Sequence, residues 1–174
     1  SDVAGSEGAV AVEADTVLKL TAAQADSHAI AGDGSVTVTE LDATSDADLA
    51  GIDTDFTVDL GSGSNVSFKD DTSADAKISV ADGKTMTLTG GTDGNVSSLD
   101  VTDADQFELG TSAGVQLDQF NSLTLTAAQA NGHLFEGDGD VLVTDIASTL
   151  GADLSSVDTS LTIDLGTDGD DDTP

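Results

Sequence analysis

Apolar and polar residues alternate with a period of two in eight short segments: Leu18–Leu20, Val36–Val38, Phe56–Val58, Ile78–Val80, Leu99–Val101, Leu123–Leu125, Val141–Val143 and Leu161–Ile163. A period of two sends successive side chains to opposite faces of a strand. Val36 and Val38, or Phe56, Val58 and Leu60, therefore share an apolar face, while Thr37 and Thr39 point away from it. Glycine and aspartate fill the gaps, as turns between strands require. Helix formers such as Glu, Lys, Arg and Met are scarce, and Thr and Val are common. The pattern predicts an all-β chain.

The segments recur at a nearly even step along the chain. A longer period is superposed on this one. The stretch 18–61 aligns without a gap on 123–166, an offset of 105 residues, with about 24 of 44 positions identical. Five short steps make one long one, and Gly5, Val10 and Val12 extend the correspondence to Gly110, Val115 and Leu117. Short strands recurring every roughly 18–24 residues predict a β-solenoid (parallel β-helix), right-handed and of about eight coils, each coil stacked on the last. Two to four buried apolar side chains per coil, at about 1.5–3 kcal/mol each, make a thin core that suffices only when coils stack. Ala22, Ala23 and Ala25 suit narrow interior corners. The alternative is a tandem immunoglobulin-like β-sandwich, since about 105 residues is also the size of one such domain. Residues 1–166 read as one repeat-built β domain, and 167–174 as an acidic tail or linker. About one and two-thirds copies of the unit suggest an excerpt of a longer array, or a subunit that continues into another copy.

Charge narrows the partners. Of 174 residues, 34 are acidic and four are basic, all lysine (Lys19, Lys69, Lys77 and Lys84), for a formal net charge of −30. Nucleic-acid binding draws its affinity from Lys and Arg on phosphates, so nucleic acids and anionic headgroups are excluded as partners. The same charge opposes the compact state unless cations screen or bind it. There is no cysteine, no charged-then-apolar leader after Ser1, and no apolar run near the roughly 20 residues that a bilayer crossing needs. The expectation is a soluble, exported segment.

Calcium is the expected cofactor, in a structural role. It takes 6–8 oxygen ligands, which carboxylates two residues apart at glycine-containing turns can supply. The candidate ligands are Asp33, Asp46 and Asp48, Asp53 and Asp55, Asp103 and Asp105, Asp138 and Asp140, and in the tail Asp168, Asp170 and Asp172. The same residues are also ordinary turn formers. Gly110-Thr-Ser112-Ala-Gly114 fits the nucleophile-elbow string, but that motif needs a helix next. The next residues, Val115-Gln-Leu117, carry a strand pattern instead, so a turn is expected. His28 and His133, the only histidines, stand 105 residues apart at equivalent positions, which suits a turn or packing role played once per repeat. The acidic clusters lack aromatic neighbours on which a sugar ring could stack. We expect no enzyme.

Leu20-Thr-Ala-Ala-Gln-Ala25 and Leu125-Thr-Ala-Ala-Gln-Ala130, each followed by a Gly-Asp-Gly turn and a Val-x-Val-Thr strand, resemble repeats of giant exported bacterial surface proteins of the calcium-dependent adhesin and S-layer kind. The resemblance implies export, calcium-aided folding outside the cell, and service as a stalk, lattice or filament element. Its clean calcium-binding nonapeptides are missing from this chain. The expected role is thus a structural or adhesive extracellular module that self-associates end to end, with calcium ions and an unidentified surface ligand as further partners. The alternatives are a calcium-stiffened sandwich domain and an acidic surface protein of a halophile.

Overall fold

The structure is a computed structural model and describes residues 9–41, 44–68, 76–104, 106–146, 149 and 151–165. In chain order the elements are β1 (Val10–Val12), β2 (Val17–Thr21), α1 (Ala22–Ala25), β3 (Ile30–Thr39), β4 (Thr44–Ser45), β5 (Ile52–Asp59), β6 (Asn65–Phe68), β7 (Lys77–Val80), β8 (Thr85–Thr89), β9 (Ser97–Asp100), β10 (Gln106–Leu109), β11 (Gly114–Leu117), β12 (Asn121–Thr126), α2 (Ala127–Ala130), β13 (Leu134–Thr144) and β14 (Val157–Ile163). All eight alternating segments fall on strands, with Val101 one residue past the end of β9. Their apolar positions are buried in the middle of the chain, with Val36, Val38, Val58, Leu99, Leu123 and Val141 fully inaccessible.

Every pair of these strands is parallel. That pairing is at odds with the sandwich alternative, whose sheets are antiparallel. Following the register, residues stack in columns. The first column runs Leu18, Val36, Phe56, Met86, Val115, Phe135, Val157. The second runs Val66, Leu99, Leu123, Val141, Leu161. A third, shorter one joins Ile78 to Phe107 and Val80 to Leu109. Strands β3, β5 and β13 are long because each turns a corner. The first half of β13 pairs with β11 and its second half with β12. The resulting sheet is open, ending at β1 and β4.

Two expectations about the repeat change. The even step predicts eight rungs in one stack, but the eight segments are distributed over three columns, with further strands between them. The short step holds near both ends of the chain, where Leu18 pairs with Val36 and Leu123 with Val141. In the middle it widens by about half, so that Phe56 pairs with Met86 and Val66 with Leu99. The added length holds β7, which supplies the third column. The two copies are also out of phase. Val36 and Val141 are equivalent in sequence, yet Val36 lies in the first column and Val141 in the second. Locally the copies fold alike, since positions 15 and 120, 27 and 132, and 40 and 145 are left-handed in both.

Corners follow from the residues that repeat. Register slips between Ala31 and Ser35 and again between Glu136 and Asp140, at the two Gly-Asp-Gly turns. Gly32 has φ +140° and Gly137 φ +111°, and a Cβ on either would collide with the carbonyl oxygen of Val12 or Leu117 on the adjacent strand. The turn requires glycine because backbone passes directly beneath it. At the other corner, Thr21 and Thr126 cap one-turn helices. The hydroxyl of each accepts the N–H of Gln24 or Gln129, whose side-chain oxygen accepts the threonine N–H in return. This is a capping box. Ala22 and Ala25 are buried as expected, whereas Ala23 faces solvent because a one-turn helix turns it outward.

Candidate functional site

Most of the nominated aspartates line the outside of the stack, and two of them, Asp48 and Asp55, accept backbone N–H groups, as do aspartates outside that set. Asp26 Oδ1 takes the N–H of Asp48 at 2.9 Å, and Asp48 Oδ1 takes that of Ala50 at 3.0 Å. In the second copy Asn131 Oδ1 takes the N–H of Asp153 at 2.7 Å, and Asp153 Oδ1 that of Ser155 at 3.0 Å. Asp55 Oδ1 accepts from Thr85 N–H across strands at 2.9 Å. A short acidic side chain mimics one residue of turn in this way. Sequence reasoning weighs this role for Asp48 and Asp55 but passes over Asp26, Asp153 and the Thr-x-x-Gln capping boxes. The long repeat, which sets each of these positions against its counterpart, was the available signal.

Asp33 lies on β3, and Asp53 and Asp55 on the adjacent β5, where the register slips at a corner. Asp33 and Asp55 line one open hollow together with Asp15, which the sequence pattern does not nominate. The corresponding positions of the second copy are Asp138, Ser160 and Phe120, so the hollow is acidic once only. Asp46 is exposed and Asp48 half-buried on the segment that bridges to Lys77. Asp103, Asp138 and Asp140 are exposed elsewhere along the stack. Asp105, Asp168, Asp170 and Asp172 lie outside the described residues. Among the described residues no three His, Asp or Glu side chains converge as a cage for a metal ion. Gly110–Gly114 is a turn that leads into β11, with no helix after it. His28 and His133 follow α1 and α2, each donating its backbone N–H to the last helical alanine, a role repeated once per copy.

Asp153 is held below its ordinary value, first by its side-chain hydrogen bond with Ser155 and then by the Ser155 N–H. A carboxyl whose folded value is lowered stabilises the fold fully above its unfolded value and loses that contribution as it protonates. Asp153→Ala is therefore expected to lower the urea midpoint at neutral pH. Its penalty should fade as the pH falls through the depressed folded value. A penalty independent of pH would show that the carboxylate charge plays no part.

The two ends of the stack differ from its middle. Among the described residues strand β2 pairs only with β3, and β14 only with β13. At β14, Leu161 is 37 % exposed, Ile163 43 % and the following Leu165 75 %. These positions repeat the inward alternation that is buried everywhere else in the second column. At the opposite end Val10, Val12, Val17 and Leu18 line an open groove of about 330 Å3. Among the described residues each end thus combines a strand edge without a partner with apolar surface, the combination that templates strand addition. Compared with protein-family models, with curated proteins and with solved structures, the chain matches none.

Proposed function

We propose that this chain is a parallel β-solenoid segment with a structural role in an extracellular surface assembly, as part of an array, a filament or an adhesin stalk. The observation that carries the reading is the parallel ladder with one slim apolar interior and, among the described residues, a strand paired on one side alone at each end. Stacked rungs bury little each and gain stability from their neighbours. A chain built this way spans distance rather than enclosing a pocket. Crossovers between parallel strands are right-handed in nearly all sheets, so the solenoid takes that hand. The role is non-catalytic: the carboxylates that could have served as acids or bases are spread along the stack, several of them bonded to backbone N–H groups. Export fits the resemblance and the charge.

Cations enter through the net charge of −30. Self-repulsion of that size destabilises a compact chain and is relieved by counter-ions. Calcium is the divalent ion whose oxygen preference matches a carboxylate surface. Thermal midpoints measured in sodium chloride, and in calcium chloride at matched ionic strength, separate the readings. We expect both salts to raise the midpoint and calcium to raise it further. Equal effects at equal ionic strength would favour the halophile alternative, in which acidity serves hydration in brine. The architecture itself is tested by electron microscopy of the purified chain. A rod with strand layers about 4.8 Å apart along its axis is expected, and two globules joined by a hinge would end the solenoid reading.

A further inference from the structure

We propose that the open edge of β14 is completed by β2 of a second copy of this chain, in a parallel register that sets Leu161 beside Leu18 of the next copy. The proposal rests on the solenoid reading above and specifies its partner. Its warrant is that the chain carries an internal template for each of the two open edges.

The β14 edge has its counterpart one repeat earlier in β5, and the two strands have equivalent neighbours, β5 on β3 and β14 on β13. The far edge of β5 is covered by β8, with Phe56 beside Met86 and Val58 beside Leu88. The sequence of β8 is Thr-Met-Thr-Leu-Thr, and β2 offers the same alternation as Val-Leu-Lys-Leu-Thr. Placing β2 of a second copy on β14 as β8 lies on β5 sets Leu18 beside Leu161 and Leu20 beside Ile163.

The β2 edge gives an independent answer. Its counterpart is β12, which pairs with β13 as β2 pairs with β3. The far edge of β12 is covered by β9, with Leu99 beside Leu123 and Asp100 beside Thr124. Strand β9 reads Ser-Ser-Leu-Asp, and residues 159–162 of β14 read Thr-Ser-Leu-Thr. Placing β14 on β2 as β9 lies on β12 again sets Leu161 beside Leu18. Two templates taken from different places in the fold agree on one register.

This contact is head to tail, so it does not close on itself as a two-fold dimer would. Heterologous contacts of this kind propagate into open filaments unless the rotation closes. Leu18 heads the first column and Leu161 ends the second, so each added copy begins one column further round. With seven layers in the first column and about 4.8 Å between layers, the rise is about 34 Å per copy. The half-exposed Leu161 and Ile163 become interior, as their equivalents are within the chain.

The register is testable because the chain has no cysteine. In the proposed pairing Lys19 of one copy stands beside Thr162 of another, both on the outward face. Directly opposed residues on neighbouring strands are about 4.8 Å apart, within the roughly 4.4–6.8 Å Cα separation that a disulfide spans. The full chain carrying Lys19→Cys and Thr162→Cys is expected, on mild oxidation, to form a reducible ladder of dimers, trimers and longer species. A mixture of the two single variants should stop at dimers, and neither single variant alone should cross-link. Cross-linking of Thr162→Cys with itself would overturn the proposal in favour of a symmetric edge contact. No cross-link, with a sedimentation coefficient independent of concentration, would also overturn it. If the molecule were still a single rod by electron microscopy, that result would leave the solenoid reading standing and show the ends to be covered within one chain. Two hinged globules would remove both.

Discussion

Phe135→Ala is expected to destabilise the chain by about 3–5 kcal/mol, the range for truncating a fully buried phenylalanine. Phe135 has no accessible surface and stands in the first column between Val115 and Val157. Its strand is hydrogen-bonded on both sides, which fixes the backbone above and below it. The hole left by the ring therefore collapses little, and cavity cost scales with what fails to collapse. Leu161→Ala is the informative comparison. It removes an apolar side chain from an inward position of the last strand, where more than a third of the residue is already exposed. Its loss should be below about 1 kcal/mol, since little transfer energy is forfeited there. Urea unfolding with an unchanged slope measures both. Equal losses at the two positions would mean that the apolar interior is not continuous through β13.

All eight alternating segments are strands because period-two patterning reports directly which side of a strand is buried. The intervening strands are harder to see. Strand β4 has two residues, too few to show a period, and β10 has a single fully inward residue, Phe107. Strand β8 alternates as clearly as the others, but an even step of one coil passes over it. Nor does the pattern reveal columns. An inward leucine looks the same whichever face of the stack it serves, and the choice of face depends on the number of residues in each corner. That is why Val36 and Val141, equivalent in sequence, end in different columns.

The aspartates pose the converse problem. Their two-residue spacing is legible, and so is their placement at turns. What the spacing does not distinguish is a ligand for calcium from an acceptor for backbone N–H groups, because both need a short carboxylate beside an unpaired corner. Asp48 and Asp153 occupy equivalent positions and bond alike. Asp55, by contrast, is replaced by Ser160 in the second copy, so the inter-strand bond to Thr85 belongs to the junction between copies rather than to the repeat itself.

Gly137→Ala should rank with Phe135→Ala in severity, for a different reason. At φ +111° an alanine is strained whatever its surroundings, at about 1–2 kcal/mol for left-handed backbone. In addition the new Cβ would meet the carbonyl oxygen of Leu117, which is held in the adjacent strand and has no flexible end to withdraw. Overpacking of this kind costs about 1–3 kcal/mol more. Gly132→Ala isolates the first contribution. Gly132 also has positive φ, +75°, but nothing lies within 4 Å of where its Cβ would stand. The first copy already carries a non-glycine residue there, Ser27 at φ +57°. The second Gly-Asp-Gly turn is flanked by strands on both sides, whereas in the first turn Gly32 sits over β1 at the end of the sheet, where the strand has room to yield. Unfolding midpoints should therefore fall most for Gly137→Ala, less for Gly32→Ala and least for Gly132→Ala. Reversal of the first two would mean that the terminal strand β1 is held as firmly as the interior ones.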